Sequence, residues 1–391
     1  MNEEALLGAA KELIAIESTA DNPAAIHGAY EYMRDMVLAS AKDITIEEFE
    51  SNGKPSLLAY RGQQRPDKFH IIFNGHIDVV PGKPEQFKPY IEDGKLYGRG
   101  AYDMKAAAII LTQVFCEYVD TVPYTLGLQI VTDEEGTGRY GTQYQVEQGV
   151  RANFIICGEC GQRPGTYEIA NEAKGIAALE LQFRGSSAHG AYPWRGDNPA
   201  LKAADFVRRL QERYPTPDEV SNNTTVTVTS VSATSSATNQ TPEIATVKLD
   251  SRYTPGDPHF RTEADVTALI ATIDPTAEIT KFLIFGAPMY SSPHNPLLLE
   301  LKAAAEQVEG EPFSLVRRHG TSDGRFYTET GGQACEFGIA GEHQHADNEY
   351  VTLEAFHAYL ETMRTFLQMT TETKSTQHTE AGSLESIGIE T

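Results

Sequence analysis

Five short segments of the chain each offer side chains that bind divalent metal. They are FNGHIDVVPG (73–82), YGRGAYDMKAA (97–107), VTDEEGTG (131–138), ICGECG (156–161) and HQHADNEYV (343–351). Together they supply His76, Asp78, Asp103, Glu134, Glu135, Glu159 and His345. A carboxylate-rich set with a histidine at each end is what two hydrolytic metal ions need if they share one carboxylate. It leaves a further carboxylate to act as a base.

Each segment also has a plainer reading. In GHIDVVP, His76 can ligate metal through one ring nitrogen while Asp78 holds the other and fixes the tautomer; a lone His-x-Asp is also an ordinary structural feature. Asp103 stands at a loop-to-helix junction, where it can cap the helix or bridge two ions. Asp133, Glu134 and Glu135 are adjacent acids ahead of a glycine. Such charges repel, raise one another's pKa values and call for cations, or else form a solvated turn. The functional reading splits the glutamates: one binds metal, and its neighbour takes a proton from the attacking water. Glu159 and His345 complete the count, and neither carries the reading alone.

The elements that must position these groups follow the hydrophobic pattern. Residues 3–16 and 24–40 read as helices, 45–50 and 56–60 as strands, and 70–74 (HIIFN) as a buried strand ending at the first motif. Residues 104–118 read as a helix, and 124–132 and 154–157 as strands ending at the acidic motifs. Ligands at the ends of apolar strands suit an open α/β sheet, whose sites lie at the strands' carboxyl ends. The middle differs. Strands at 175–183, 223–232 and 244–253, with helices at 199–214 and 261–273, give β-α-β-β-α, and 279–284 can add a strand. This predicts a small α+β domain inserted in a larger one. The expected division is 1–173 with 286–370 for the large domain, and 174–285 for the insert. Residues 371–391 are polar and aperiodic, and read as a disordered tail.

Composition narrows the classes. Net charge is −23, from 32 basic and 55 acidic residues, which disfavours nucleic acid. No apolar run approaches the length of a membrane helix, and the N-terminus has acids where a signal peptide has bases. The cytoplasm is therefore the expected compartment. Four cysteines are too few for a disulfide scaffold. Cys157 and Cys160 form a lone CxxC after an apolar strand, which reads as structural. GTSDG (320–324) matches a serine nucleophile motif in form, with Ser322 as nucleophile, but a poor helix follows it. No HExxH occurs.

Taken in order, the five motifs resemble the M20 metallopeptidase family, the group of aminoacylases, acetylornithine deacetylases, succinyl-diaminopimelate desuccinylases and glutamate carboxypeptidases. The resemblance spans about residues 1–370. It implies a di-metal aminopeptidase-like α/β domain, with a mixed sheet flanked by helices and an inserted ferredoxin-like domain for dimerisation and as a lid. It assigns His76 and Glu159 to one ion, Glu135 and His345 to the other, and Asp103 to the bridge. Glu134 becomes the general base and Asp78 the orienter of His76. Zinc is the expected metal, with cobalt or manganese compatible. FRGSSAHGAYPW (183–194) matches the family segment whose histidine, here His189, polarises the scissile carbonyl across a homodimer. Arg252 in DSRYTPG matches an arginine that grips a substrate carboxylate. Asn239, Gly320, Thr321 and Ser322 are further substrate-lining candidates. The implied substrate is a small N-acyl amino acid or a dipeptide. One departure is local: where the desuccinylase pattern pairs arginines, this chain has Ala173 and Lys174.

Overall fold

The computed structural model describes residues 1–40, 42–159 and 161–385, with side chains through residue 373. The chain forms two compact units. The first comprises Met1–Asn171, Tyr290–Val316 and Ser322 onward; the second comprises Glu172–Met289 and Arg317–Thr321. The second unit thus starts and ends a few residues outside the predicted insert. It also recruits a short later segment, in which the backbone N–H of Lys174 donates to the Arg318 carbonyl at 3.1 Å.

The first unit is built on a mixed sheet. Its consecutive strands in space are Ile44–Ser51, Lys54–Arg61, Leu126–Val131, Phe69–His76, Ala152–Cys157 and Gln333–Glu336. The last four run parallel, with His76 in register with Val131 and Asn74 with Cys157. Phe69–His76 (FHIIFNGH) is apolar along most of its length and is buried on both faces, as a central parallel strand must be. Fully burying each large side chain of this core contributes about 1.5–3 kcal/mol.

The helix Lys105–Tyr118 packs beside this strand and is buried at every position from Lys105 to Phe115. Such an all-round apolar helix belongs inside a domain. Gly158 lets the strand end pass close to it: a Cβ there would lie 2.6 Å from the Met104 side chain and 2.8 Å from Leu111. The helix carries one buried cation. The ammonium of Lys105 donates to the carbonyls of Leu13 (3.1 Å) and Ile16 (2.6 Å), just where the N-terminal helix Glu3–Ile14 ends. Burial lowers its pKa to about 7.

The second unit is a four-stranded antiparallel sheet in the order Thr225–Ala233, Ile244–Tyr253, Gly175–Arg184, Glu278–Gly286. The helices Pro199–Arg213 and Glu263–Ile273 complete the order β-α-β-β-α-β, a ferredoxin-like arrangement. Its separate core includes Phe183, Phe206, Leu249 and Ile270. The strand that was only optional in the sequence pattern, at 279–284, is present.

The C-terminus differs from expectation. The helix that starts at Leu353 continues to Glu385, where polar composition predicted no regular structure. Helix needs no apolar stripe once it is already nucleated, and Thr370 bonds back to the Phe366 and Leu367 carbonyls within the packed part. The rest of the expected tail, 386–391, lies outside the described residues.

Candidate metal centre

Parallel strand order brings the motifs to one edge. His76 ends its strand, the acidic pair follows Val131, and Glu159 follows Cys157. His76 is fully buried. Its Nε2 lies 3.1 Å from Asp103 Oδ1 and 3.7 Å from Glu159 Oε1. Asp103 turns its other oxygen, Oδ2, to His345 Nε2 at 3.1 Å, and that nitrogen is also 3.1 Å from Glu135 Oε1. One carboxylate therefore stands between the two imidazoles, in the position a bridging ligand would take. The peptide bond after Asp103 is cis. His345 itself has a left-handed backbone, φ 58°, an uncommon conformation for a residue with a side chain.

Two triads can each converge on a point. Donor atoms of His76, Asp103 and Glu135 lie within 4.8 Å of one another, and so do those of His76, Glu134 and Glu159. Sequence reasoning grouped Asp103 and Glu159 with His76, and their carboxylates lie 3.1 and 3.7 Å from its ring.

Asp78 acts somewhat differently from expectation. The nearest partner of His76 Nδ1 is the main-chain oxygen of Asp78 at 3.0 Å, while its carboxylate is 3.6 Å away. That carboxylate accepts the backbone N–H groups of Glu134 (3.3 Å) and Glu135 (3.0 Å). One residue so holds the histidine by its backbone and the acidic turn by its side chain.

The electrostatics are those of a site short of positive charge. Burial raises the pKa of Glu134 well above the usual carboxylate range. Nearby His76 opposes the rise, and Asp323, Asp103 and Glu135 add to it. Burial also raises Glu159, reinforced by Glu134. Burial works against ionisation of Asp103 too, but hydrogen bonds from His345 and His76 hold it well below the ordinary value. His76 is raised despite burial, by Glu159, Asp103 and Asp78. Hydrogen bonds to Asp103 and Glu135 raise His345 to about 10. One observation decides whether metal fits: Glu159 Oε1 is buried with no hydrogen-bond partner. A buried carboxylate oxygen without a donor is costly, and a divalent cation satisfies it. The oxygen- and imidazole-rich donor set suits zinc, cobalt or manganese.

The chain belongs to peptidase family M20/M25/M40. The family model matches residues 72–369, well over half of the chain. A succinyl-diaminopimelate desuccinylase from Hahella chejuensis is 30% identical over 313 residues, 75% of this chain and 79% of that protein. Among solved structures, an M20 metallo-carboxypeptidase from Sulfolobus solfataricus aligns with a TM-score of 0.73 at 18% identity, over 95% of this chain and 100% of that one. A dinuclear metal-binding M20 peptidase from Bacillus subtilis aligns with a TM-score of 0.65 at 14% identity, over 95% and 98%. This M20 chain is accordingly a metallo-hydrolase of C–N amide bonds. Among its described residues no helix is long and apolar enough to cross a membrane.

The remaining candidates fall elsewhere in the M20 chain. His189, Asn239, Arg252, Gly320 and Thr321 belong to the second unit and Ser322 to the first. The Ala191 N–H donates to His189 Nδ1 at 3.1 Å. The Nε2 of the same ring lies 3.3 Å from the side-chain nitrogen of Asn239. Arg252 is already paired with Asp250, through Nε at 2.8 Å and Nη2 at 3.3 Å. Gly320 has open space where a side chain would be, and Ser322 is buried just ahead of the short helix Gly324–Thr328. Cys157 is buried, consistent with a structural role, and Cys160 lies outside the described residues.

Sequence reasoning missed three polar residues around the site. Gln344 donates to Asp103 Oδ2 at 2.8 Å. Asp323 is buried, accepts from Thr142 at 2.6 Å, and has its pKa raised to about 6 by burial against the pull of Arg325. Glu349 is buried against the Asp103 loop. Each lies in or beside a motif already quoted, but no spacing rule marked it.

Proposed function

We propose that this M20 chain is a di-metal-dependent deacylase that hydrolyses a small N-acyl amino acid. The observation that carries the reading is the convergence of Glu134, Glu135 and Glu159 on the His76–Asp103–His345 array. His76 and Glu159 would hold one divalent ion, Glu135 and His345 the other, and Asp103 both. Bound there, the pair supplies Lewis-acid polarisation of the amide carbonyl and a more acidic water. Glu134 takes the proton of that water as the carbonyl carbon is attacked, then delivers it to the leaving amine. A carboxylate whose pKa lies above its ordinary value suits both halves of that cycle. Asp78 holds Glu134 and Glu135 through their amides, so base and ligand keep their separate directions. The His189 ring would donate to the oxyanion, and Arg252 would take a substrate carboxylate on the guanidinium edge that Asp250 leaves open.

The acyl group is the finer question. The succinyl reading draws support from the relatives' names. Against it, Lys174 is buried, and its ammonium donates to the carbonyls of Ser221 (2.9 Å) and Asn223 (2.6 Å). A cation spent on its own backbone offers little to a second substrate carboxylate. A broader N-acyl amino acid specificity follows. The competing reading is a dipeptidase or carboxypeptidase, as the Sulfolobus solfataricus structural neighbour is a metallo-carboxypeptidase. The test is a panel of N-succinyl-diaminopimelate, N-acetylornithine, other N-acyl amino acids and dipeptides on metal-loaded protein. Turnover of acyl amino acids that a chelator abolishes is expected. Turnover confined to dipeptides would transfer the reading to the peptidase branch.

A homodimer belongs to the same proposal. Mixing His189→Ala protein with a His76→Ala variant is expected to restore part of the activity that each lacks, since one hybrid site keeps both groups. No recovery after confirmed subunit exchange would count against a histidine shared between subunits.

A further inference from the structure

The buried carboxylate of Glu349 lies one turn of loop beyond His345 and bonds to a distant segment. Its Oε1 accepts three backbone N–H groups, from Gly100 (2.9 Å), Tyr102 (3.0 Å) and Asp103 (3.1 Å). Its Oε2 accepts from the Arg99 guanidinium, itself buried. Its main-chain oxygen accepts from the Gly98 N–H at 3.1 Å. Every contact falls within Gly98–Asp103, the loop that ends in the carboxylate standing between the two imidazoles. Gly98 and Gly100 have φ of 153° and 88°, so this loop has a shape few sequences would adopt unaided. A buried carboxylate with four donors is well satisfied, and removing it would orphan three amides and a guanidinium at once.

We infer that Glu349 is a positioning residue of the metal centre, one that fixes Asp103 relative to His345. The inference rests on the di-metal reading above. Asp103 Oδ2 reaches His345, and His345 and Glu349 share one loop, so the carboxylate of Glu349 closes a ring: Asp103 side chain to His345, His345 along the chain to Glu349, Glu349 back to the Asp103 amide. Both arms of the bridge are thereby held by one residue that stands outside both candidate ligand groups. A mere fold anchor would stabilise the chain without governing the geometry at the metals.

The test is Glu349→Gln, with Glu349→Asp beside it, both read by cobalt loading. The Gln variant turns an NH₂ toward donors and breaks the cradle at near-constant volume. The Asp variant keeps the charge but withdraws it by one methylene. Expected are a 10- to 100-fold loss in affinity for at least one cobalt ion, a comparable fall in kcat with KM little changed, and an altered cobalt absorption spectrum. If the Gln variant does not fold, the Asp variant decides on the same readouts. Wild-type affinity and a wild-type cobalt spectrum in a folded variant would overturn the inference, whatever its activity. Wild-type protein that takes up no cobalt would instead overturn the di-metal reading on which it rests.

Discussion

Glu134→Gln is expected to keep its metals and lose turnover by on the order of 10²–10⁴-fold, the usual contribution of a positioned general base. Gln is nearly isosteric, and the backbone of residue 134 stays held by Asp78. What disappears is the proton acceptor, so kcat falls while substrate affinity changes little. The same variant makes a second, opposite prediction for stability in chelator. Glu134 has a folded pKa well above its unfolded value, chiefly through burial. Below the unfolded pKa both states are protonated, and the group costs nothing. As pH rises toward and past the folded pKa, the unfolded chain ionises freely while the buried group cannot, so stability is lost. Metal-free Glu134→Gln should therefore melt above the metal-free wild type at neutral pH, and the two should converge near pH 4. Retained turnover would sink the base assignment. A melting point that falls on substitution would show that burial does not penalise the carboxylate.

Much of this centre was legible because strand and ligand are adjacent in sequence. An apolar run such as HIIFN can be read as a buried strand, and the residue at its carboxyl end then falls at the site edge by topology alone. His76, Glu134, Glu135 and Glu159 all come this way. Asp78 shows where such reading stops: its residue type predicted a carboxylate on an imidazole, but which oxygen reaches the ring depends on the local turn. Glu349 and Asp323 were out of reach for a different reason. Their partners are backbone amides and a threonine hydroxyl more than 180 residues away, and no periodicity encodes a bond to a backbone. Lys174 illustrates the converse. It stands where the desuccinylase pattern has an arginine, and only the Ser221 and Asn223 carbonyls reveal that its charge is used internally.

Metal loading should be coupled to proton release, and this follows from the same crowding that marks the site. Without ions, His345 holds a proton to about pH 10 because Asp103 and Glu135 bond to it, and His76 is raised as well by Glu159, Asp103 and Asp78 acting against burial. Burial also raises the pKa values of Glu134 and Glu159. An ion that takes an imidazole nitrogen must displace its proton. Apparent affinity should therefore rise with pH across 6–8, by about tenfold per unit for each proton released. Calorimetric titration with zinc in buffers of different ionisation enthalpy would count those protons, and competition with a chelator at each pH would give the slope. The stability of the metal-free protein should run the other way. The folded pKa of His345 lies above its unfolded value, so its contribution is complete below about 6.5 and lost as pH rises toward 10. The ions thus add most where the protonated site supports itself least, and the melting-point increment from metal should widen with pH. An affinity that is flat from pH 6 to 8 would mean that the ligands meet the ions already deprotonated. The imidazoles would then not be held as cations by Asp103, Glu135 and Glu159, and repulsion among those carboxylates would have to be relieved in some other way.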